Sequence, residues 1–248
     1  MANSSSSRDI IVLEGISKTF RIPHQRWDTA REYVVNFWRR RTYTELNVLK
    51  NLNLTVQSGE FFGIVGRNGS GKSTLLRILT GIYLPDAGRV TVQGKIAPFL
   101  ELGIGFNPDL TAKENVYLNG VILGLTIRQV QQLEQQIFEF AELTEFKHMP
   151  VKNFSSGMQV RLAFSVAIQA KRELLALDEV LAVGDENFRI KCLETFKQFK
   201  REGKTILFVS HDLDLVEEFC DRVLVLEQGE ACFVGETRTA LSTYRELL

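Results

Sequence analysis

The sequence has few cysteines, no net charge and no long apolar run. Its 248 residues include three irregularly spaced cysteines, so neither a disulfide framework nor a zinc site is expected. So few cysteines are typical of a protein in a reducing compartment. Thirty basic residues balance thirty acidic ones, so no global positive field attracts nucleic acid. No apolar run approaches the roughly 18 residues of a membrane span, and residues 1–7 lack the apolar core of a signal peptide. If membranes are involved, another chain is expected to cross them.

Apolar residues make up 44% of the chain, enough for a substantial core in one large or two small domains. Short runs rich in Val, Ile, Leu and Phe alternate with helical patterns, which predicts a buried, mainly parallel sheet. The strand signal disappears between Lys113 and Ala170, and Thr126 to Gln129 is typical of a capping box that opens a long helix. We therefore expect an α/β core with an inserted helical subdomain. The predicted strands are Phe61–Val65, Leu174–Leu177, Thr205–Val209 and Val223–Leu226.

Residues 66–74 form the most informative motif. They fit G-x-x-x-x-G-K-[S/T], follow a predicted strand and run into a predicted helix. Such a turn aims successive backbone N–H groups at a phosphate, and the lysine adds a full positive charge. Ser73 is placed to bind Mg2+. The predicted phosphate-binding residues are Gly66, Asn68, Gly69, Ser70, Gly71, Lys72, Ser73 and Thr74.

Two further strands end in polar residues. Asp178 and Glu179 follow the apolar run that begins at Leu174, and His211 follows the run that begins at Thr205. In an open α/β sheet both ends face the ligand-binding edge, so Asp178 is expected to hold Mg2+ and Glu179 to orient an attacking water. His211 could reach the terminal phosphate, although a lone histidine after a strand is more often structural.

A polar glycine turn at residues 153–159 opens another helix and is a second candidate anion site. With the phosphate loop, the acidic pair and His211 in this order, the chain resembles the ATPase subunit of an ABC transporter. The resemblance implies a P-loop NTPase core with a mainly parallel sheet, an antiparallel β subdomain and an inserted helical subdomain. It implies binding of ATP and Mg2+ by a head-to-tail homodimer. In that dimer, Ser155, Ser156 and Gly157 of one copy close over ATP held by the other.

The same resemblance assigns two more residues. Asp185 falls in the family's interface loop, and Phe20 matches the aromatic that stacks on adenine, with a buried core phenylalanine as the alternative. The expected organisation is a single ATPase domain over 1–248. Its core and β subdomain take 8–99 and 171–248, its helical subdomain takes 100–170, and an inserted helix takes 22–47.

Two motifs depart from the usual family pattern. The signature reads Phe-Ser-Ser-Gly-Met over 154–158 instead of Leu-Ser-Gly-Gly-Gln. Glu101 is the best candidate for the place of a customary glutamine, with an ordinary solvated loop glutamate as the alternative. With these motifs the sequence resembles the polysaccharide-export branch of the family. That branch implies an ATPase on the cytoplasmic face of the bacterial inner membrane, paired with an integral membrane permease and exporting lipid-linked O-antigen or teichoic acid. No C-terminal sugar-binding domain is expected here.

The predicted insertion has an apolar stripe at helical spacing, formed by Trp27, Ala30, Val34, Phe37 and Trp38, and ends in the basic run 39–41. It could lie near lipid headgroups, dock on a permease, or pack as an ordinary helix on its own sheet.

Two other functions remain open. The first is an ABC transporter for a different cargo. The second is a nucleotide-gated clamp on ribosomes or DNA, which the single cassette and the balanced charge disfavour. No nucleic-acid partner is expected.

Overall fold

The computed structural model describes residues 8–23, 43–94, 96–99, 105–169, 174–178 and 185–247. The strands in these ranges are β1 (Asp9–Pro23), β2 (Tyr43–Gln57), β3 (Phe61–Val65), β4 (Ala87–Val92), β5 (Ile96–Phe99), β6 (Leu174–Asp178), β7 (Thr205–Val209), β8 (Arg222–Glu227) and β9 (Glu230–Glu236). The helices are α1 (Lys72–Leu79), α2 (Ala112–Ile122), α3 (Ile127–Ala141), α4 (Ser156–Gln169), α5 (Glu186–Arg201), α6 (Leu213–Phe219) and α7 (Thr237–Glu246).

The strands form two sheets. The larger has the order β5-β6-β7-β3-β8-β9, and its strands are parallel except for β9, which runs antiparallel to β8. The smaller is antiparallel, in the order β2-β1-β4. This is the α/β P-loop architecture with an antiparallel β subdomain that the family resemblance implies.

Alternation along β3 explains how the larger sheet holds two cores. Phe61 and Val65 face one core, which α4, α5, α6 and α7 cover with aromatic side chains such as Phe164 and Phe188. Phe62 and Ile64 face the opposite core, which fills the space between the sheet, α1 and the antiparallel strands. Because both faces are covered, β3 is apolar at every position except its glycine.

The helical subdomain has its own core, to which α2, α3 and α4 contribute. Thr111 and Thr126 form capping boxes at the starts of α2 and α3, each with the residue three positions later. The predicted capping box at 126–129 is therefore confirmed. Arg161 of α4 forms an ion pair with Glu142 of the same subdomain and another with Asp185, at the start of α5, and the second pair joins this subdomain to the main core.

The four predicted strands are confirmed, two of them with one or two extra residues. The predicted insertion needs a correction, because β1 includes Ile22 and Pro23 and β2 begins at Tyr43. Antiparallel pairing of the two strands continues to their ends, so 22–23 and 43–47 are strand rather than helix. The rest of the predicted helix, with its apolar stripe and Arg39 to Arg41, lies outside the described residues.

Within the described ranges, no helix has the length and apolarity needed to cross a membrane. The three cysteines are free thiols, and burial raises the pKa of Cys192 to about 12.

Candidate functional site

The phosphate loop joins β3, which ends at Val65, to α1, which begins at Lys72. Gly69 and Gly71 have φ angles of +80° and +111°, a backbone conformation that favours glycine. At Gly71, which caps α1, a Cβ atom would also lie 2.8 Å from the carbonyl oxygen of Val48. The glycine spacing in the motif is therefore required by the path of the backbone.

Gly66 is required for a different reason. A Cβ atom there would lie 2.1 Å from the carbonyl oxygen of Leu226 and 2.6 Å from the Ser70 hydroxyl. Leu226 belongs to β8, the strand next to β3, so the loop starts in direct contact with its neighbour. The backbone N–H of Gly229 donates to the carbonyl of Ser70 at 3.0 Å, which fixes the far side of the loop to the β8–β9 turn.

Lys72 extends back into this loop. Its side chain is only 6% exposed, and Nζ donates to the carbonyl oxygens of Gly66 at 2.7 Å and Arg67 at 3.0 Å. A buried ammonium held by main-chain carbonyls is positioned to meet the oxygen of an anion that enters the loop.

Ser70 provides a direct test of whether an anion fits. The residue is 4% exposed, and its hydroxyl has no hydrogen-bond partner among the described residues. A buried hydroxyl without a partner is costly unless a ligand or water satisfies it. Beside Lys72 and the N-terminus of α1, a phosphate oxygen is a suitable acceptor. Asn68, Gly69 and Ser73 are exposed on the same loop, and Thr74 is half-buried.

The other predicted groups follow the ends of adjacent strands. Asp178 pairs in register with Val209 of β7, and Val209 pairs with Ile64 of β3. These three residues therefore lie side by side at the same edge of the sheet as the phosphate loop, which follows β3. His211 is exposed two residues after Val209. The Asp178 side chain, Glu179 and Glu101 lie outside the described residues, so their predicted roles stay predictions.

The signature turn lies at the start of α4. The Ser155 hydroxyl accepts a hydrogen bond from the backbone N–H of Met158 at 3.2 Å, and Ser155 and Ser156 are exposed. A Cβ atom at Gly157 would meet nothing within 4 Å except the Ser155 hydroxyl, at 3.9 Å. The turn therefore presents a polar, unobstructed helix start, as a surface that closes over a phosphate would require.

Phe20 is half-buried on β1, where its ring contacts Tyr83 and the ammonium of Lys18. Its side chain is therefore partly accessible, which is compatible with stacking on a base but does not test that role. No local sequence pattern connects Tyr83 to β1, so this contact is not predictable from the sequence.

Asp185 has contacts that the sequence does not reveal. Its carboxylate caps α5 by accepting from the backbone N–H of Phe188 at 3.0 Å, and it pairs with Arg161 of α4. The hydrogen bond from Phe188, followed by the charge of Arg161, lowers the pKa of Asp185. These contacts lie within one chain, so the predicted intersubunit role stays a prediction.

Residues 49–182 match the ABC transporter family. The chain belongs to that family. It is an ATP-binding subunit with ATPase function, and the fold and the phosphate loop agree with this. The resemblance stated from the motifs is confirmed, and it extends to the polysaccharide-export relatives.

The chain is similar to the ABC transporter protein AbcA of Aeromonas salmonicida, with 43% identity covering 98% of this chain and 78% of that protein. It is 41% identical to the O-antigen export system ATP-binding protein RfbB of Myxococcus xanthus, over 98% of this chain but 57% of the relative. The teichoic acids export ATP-binding protein TagH of Bacillus anthracis is 35% identical over 96% of this chain and 43% of its own length. The chain thus spans only about half of the last two relatives.

Solved structures agree on the fold. The ATP-binding cassette MJ0796, solved as a dimer in a post-hydrolysis state with ADP and Pi, matches with a TM-score of 0.72. The identity is 24%, over 92% of this chain and 99% of that one. The ATP-binding subunit of another ABC transporter matches with a TM-score of 0.74 at 20% identity, over 95% of this chain and 93% of that one.

Proposed function

We propose that this chain powers the export of a lipid-linked polysaccharide, of the O-antigen or teichoic-acid type, across the bacterial inner membrane. It acts from the cytoplasmic face, as a homodimer bound to a pair of integral membrane permease subunits. The observation that supports the ATPase part is the phosphate loop, in which Lys72 and Ser70 are buried, Lys72 Nζ donates to the Gly66 carbonyl, and the Ser70 hydroxyl has no hydrogen-bond partner among the described residues. The similarity to O-antigen and teichoic acid export ATP-binding proteins supports the cargo.

Each site residue takes one task. Lys72 and the loop amides bind the phosphates, and Phe20 stacks on the base. Ser73, exposed in the first turn of α1, and Asp178, at the end of β6, would hold Mg2+, whose hard oxygen preference suits a hydroxyl and a carboxylate. Bound there, Mg2+ would neutralise negative charge on the phosphates. Glu179 orients the attacking water, and His211 contacts the terminal phosphate.

Closure of the site needs a second copy. At this helix start Ser155 and Ser156 are exposed and Gly157 is half-buried, so the turn can meet the phosphate loop of another protomer. Binding of ATP between two such surfaces would join the copies, and hydrolysis would release them. The resulting motion would be passed to the permease.

The helical subdomain offers a surface for the permease. On α2, Ala112, Val116 and Gly120 are buried, while Leu118, Val121 and Ile122 are 40%, 46% and 64% exposed. The exposed three have helical i, i+3, i+4 spacing and therefore form one apolar face. A helix that is apolar on both faces is costly in water, so this outer face suits a protein partner.

Replacing Ile122 with Glu is expected to reduce copurification of the permease by at least about 10-fold, because a charge would be buried at the contact. ATP binding by the isolated subunit should be unchanged. The measurement is affinity purification of the tagged subunit from membranes. Ile190→Glu, at an exposed position of α5, is the matched control. Normal copurification of the permease with Ile122→Glu would show that α2 does not form the interface with the permease.

The cargo is tested by deleting the gene in the source cell and restoring it on a plasmid. Surface polysaccharide and the cytoplasmic pool of lipid-linked glycan are both measured. Loss of surface glycan with internal accumulation, reversed by the plasmid, would support an export motor that acts after synthesis. Unchanged amounts of both would contradict the polysaccharide cargo and leave the ATPase assignment intact.

A further inference from the structure

The turn at residues 80–86, here called the bracing turn, follows α1 without a flexible link. The backbone N–H groups of Ile82 and Tyr83 both donate to the carbonyl of Arg77, at 2.8 and 3.0 Å. The Thr80 hydroxyl donates to the carbonyl of Leu76 at 2.8 Å. Since α1 begins at Lys72, the bracing turn is rigidly connected to the phosphate loop one helix length away.

The bracing turn also holds β1 at the segment that precedes Phe20. The backbone N–H of Asp86 donates to the carbonyl of Ser17 at 2.9 Å, and the Asp86 carboxylate accepts from the backbone N–H of Thr19 at 2.7 Å. The other carboxylate oxygen pairs with Lys18 Nζ at 2.8 Å. The Lys18 hydrogen bond is the main cause of the lowered pKa of Asp86, and the Thr19 bond adds to it. This carboxylate therefore stays ionised at neutral pH and keeps the contact.

Tyr83 completes the connection by contacting Phe20 directly. The two rings meet edge-on, with centroids 5.5 Å apart and planes inclined by 67°. The guanidinium of Arg77 lies 5.6 Å from the centre of the Tyr83 ring, and its Nη1 is 3.4 Å from the Tyr83 hydroxyl. Lys18 Nζ lies 5.6 Å from the centre of the Phe20 ring. Arg77 thus fixes Tyr83, and Tyr83 and Lys18 together fix the tilt of Phe20.

We propose that Tyr83 is a positioning residue that sets the orientation of Phe20 for stacking on the nucleotide base. This role of Tyr83 rests on the proposed nucleotide-binding role of Phe20. Because Tyr83 is attached to α1, the base platform and the phosphate loop belong to one rigid unit, and their separation is fixed before ATP binds. The consequence is selective: loss of Tyr83 weakens binding through the base and leaves binding through the phosphates unchanged.

The test compares two ligands, ATP and inorganic tripolyphosphate, which lacks a base. Tyr83→Ala should bind ATP about 3- to 10-fold more weakly, the range expected for loss of an aromatic pair, and tripolyphosphate within about 2-fold of the original protein. The KM for ATP should rise while kcat at saturating ATP is maintained. Tyr83→Phe keeps the ring and should restore ATP affinity to within about 2-fold.

Two more variants separate the possible failures. Tyr43→Ala removes an exposed tyrosine of β2 and serves as the matched control. Phe20→Ala tests the platform itself. Loss of ATP affinity in Phe20→Ala but not in Tyr83→Ala would overturn the role of Tyr83 and keep that of Phe20. Equal weakening of both ligands in Tyr83→Ala would also overturn it, because the turn would then act on the phosphate loop. Unchanged ATP affinity in Phe20→Ala would instead contradict the proposed base site.

Discussion

ATP affinity is expected to fall by at least about 100-fold when Lys72 is replaced by methionine, which keeps most of the side chain's length and removes its charge. The ammonium is buried and donates to two carbonyls of the loop, at Gly66 and Arg67. Without it, these carbonyls lose their donor and the phosphates lose the full positive charge closest to them. Charge-assisted hydrogen bonds contribute about 1.5–3 kcal/mol each, so the loss of more than one such bond from Lys72 to the phosphates accounts for the expected fold-change in ATP affinity.

Titration of the purified protein with ATP, followed by calorimetry, measures this effect. Lys152→Met is the matched control, because its ammonium is surface-exposed and pairs with Asp109 at 3.1 Å, on the helical subdomain. The control should bind ATP as the original protein does. A Lys72→Met protein that folds normally and binds ATP with unchanged affinity would show that the loop does not hold the phosphates.

Local signals were sufficient to predict most of the fold. The strand at Phe61–Val65 is apolar because both faces of the sheet are covered, and this leaves a short continuous run that is easily recognised. The helix start at Thr126 is set by hydrogen bonds between residues three positions apart, so its signal is contained in four letters. Where structure depends on neighbours in sequence, the sequence alone is informative.

The ends of the insertion were not predictable in the same way. Ile22, Tyr43 and Leu46 are exposed although they lie in paired strands. Their strand conformation comes from antiparallel pairing between β1 and β2, which the apolar pattern of either segment does not reveal. The prediction of a helix from residue 22 therefore began too early and ended too late.

The site shows the same division. The motif at 66–74 predicts a phosphate loop, but the contact of Gly66 with Leu226 depends on the placement of β8 beside β3. Likewise, the pairing of Asp185 with Arg161 and of Tyr83 with Phe20 joins residues that are distant in sequence. A single sequence carries no covariation, so such pairs appear only when the chain is folded.

Replacing Glu179 with glutamine is expected to lower ATP turnover by about 100- to 1,000-fold while ATP affinity is retained. Glutamine has nearly the same shape but cannot accept the proton of a water or hold its charge, so the chemical step slows and binding does not. ATP-bound dimers should accumulate, because hydrolysis is the step that separates them. Turnover is measured by phosphate release, and dimer formation by size-exclusion chromatography with ATP.

Glu194→Gln, at an exposed position on α5, is the matched control and should hydrolyse ATP at the original rate. Together with Lys72→Met, the Glu179 variant separates binding from chemistry. Loss of ATP affinity in Lys72→Met would show that Lys72 contributes to binding of ATP in the ground state. Retained affinity with slow turnover in Glu179→Gln would show that Glu179 stabilises the transition state. Normal turnover in Glu179→Gln would show that another residue orients the water. His211, which follows β7 next to β6, is the next candidate to test. ATP-dependent dimers in Lys72→Met would contradict the view that phosphate binding joins the two copies.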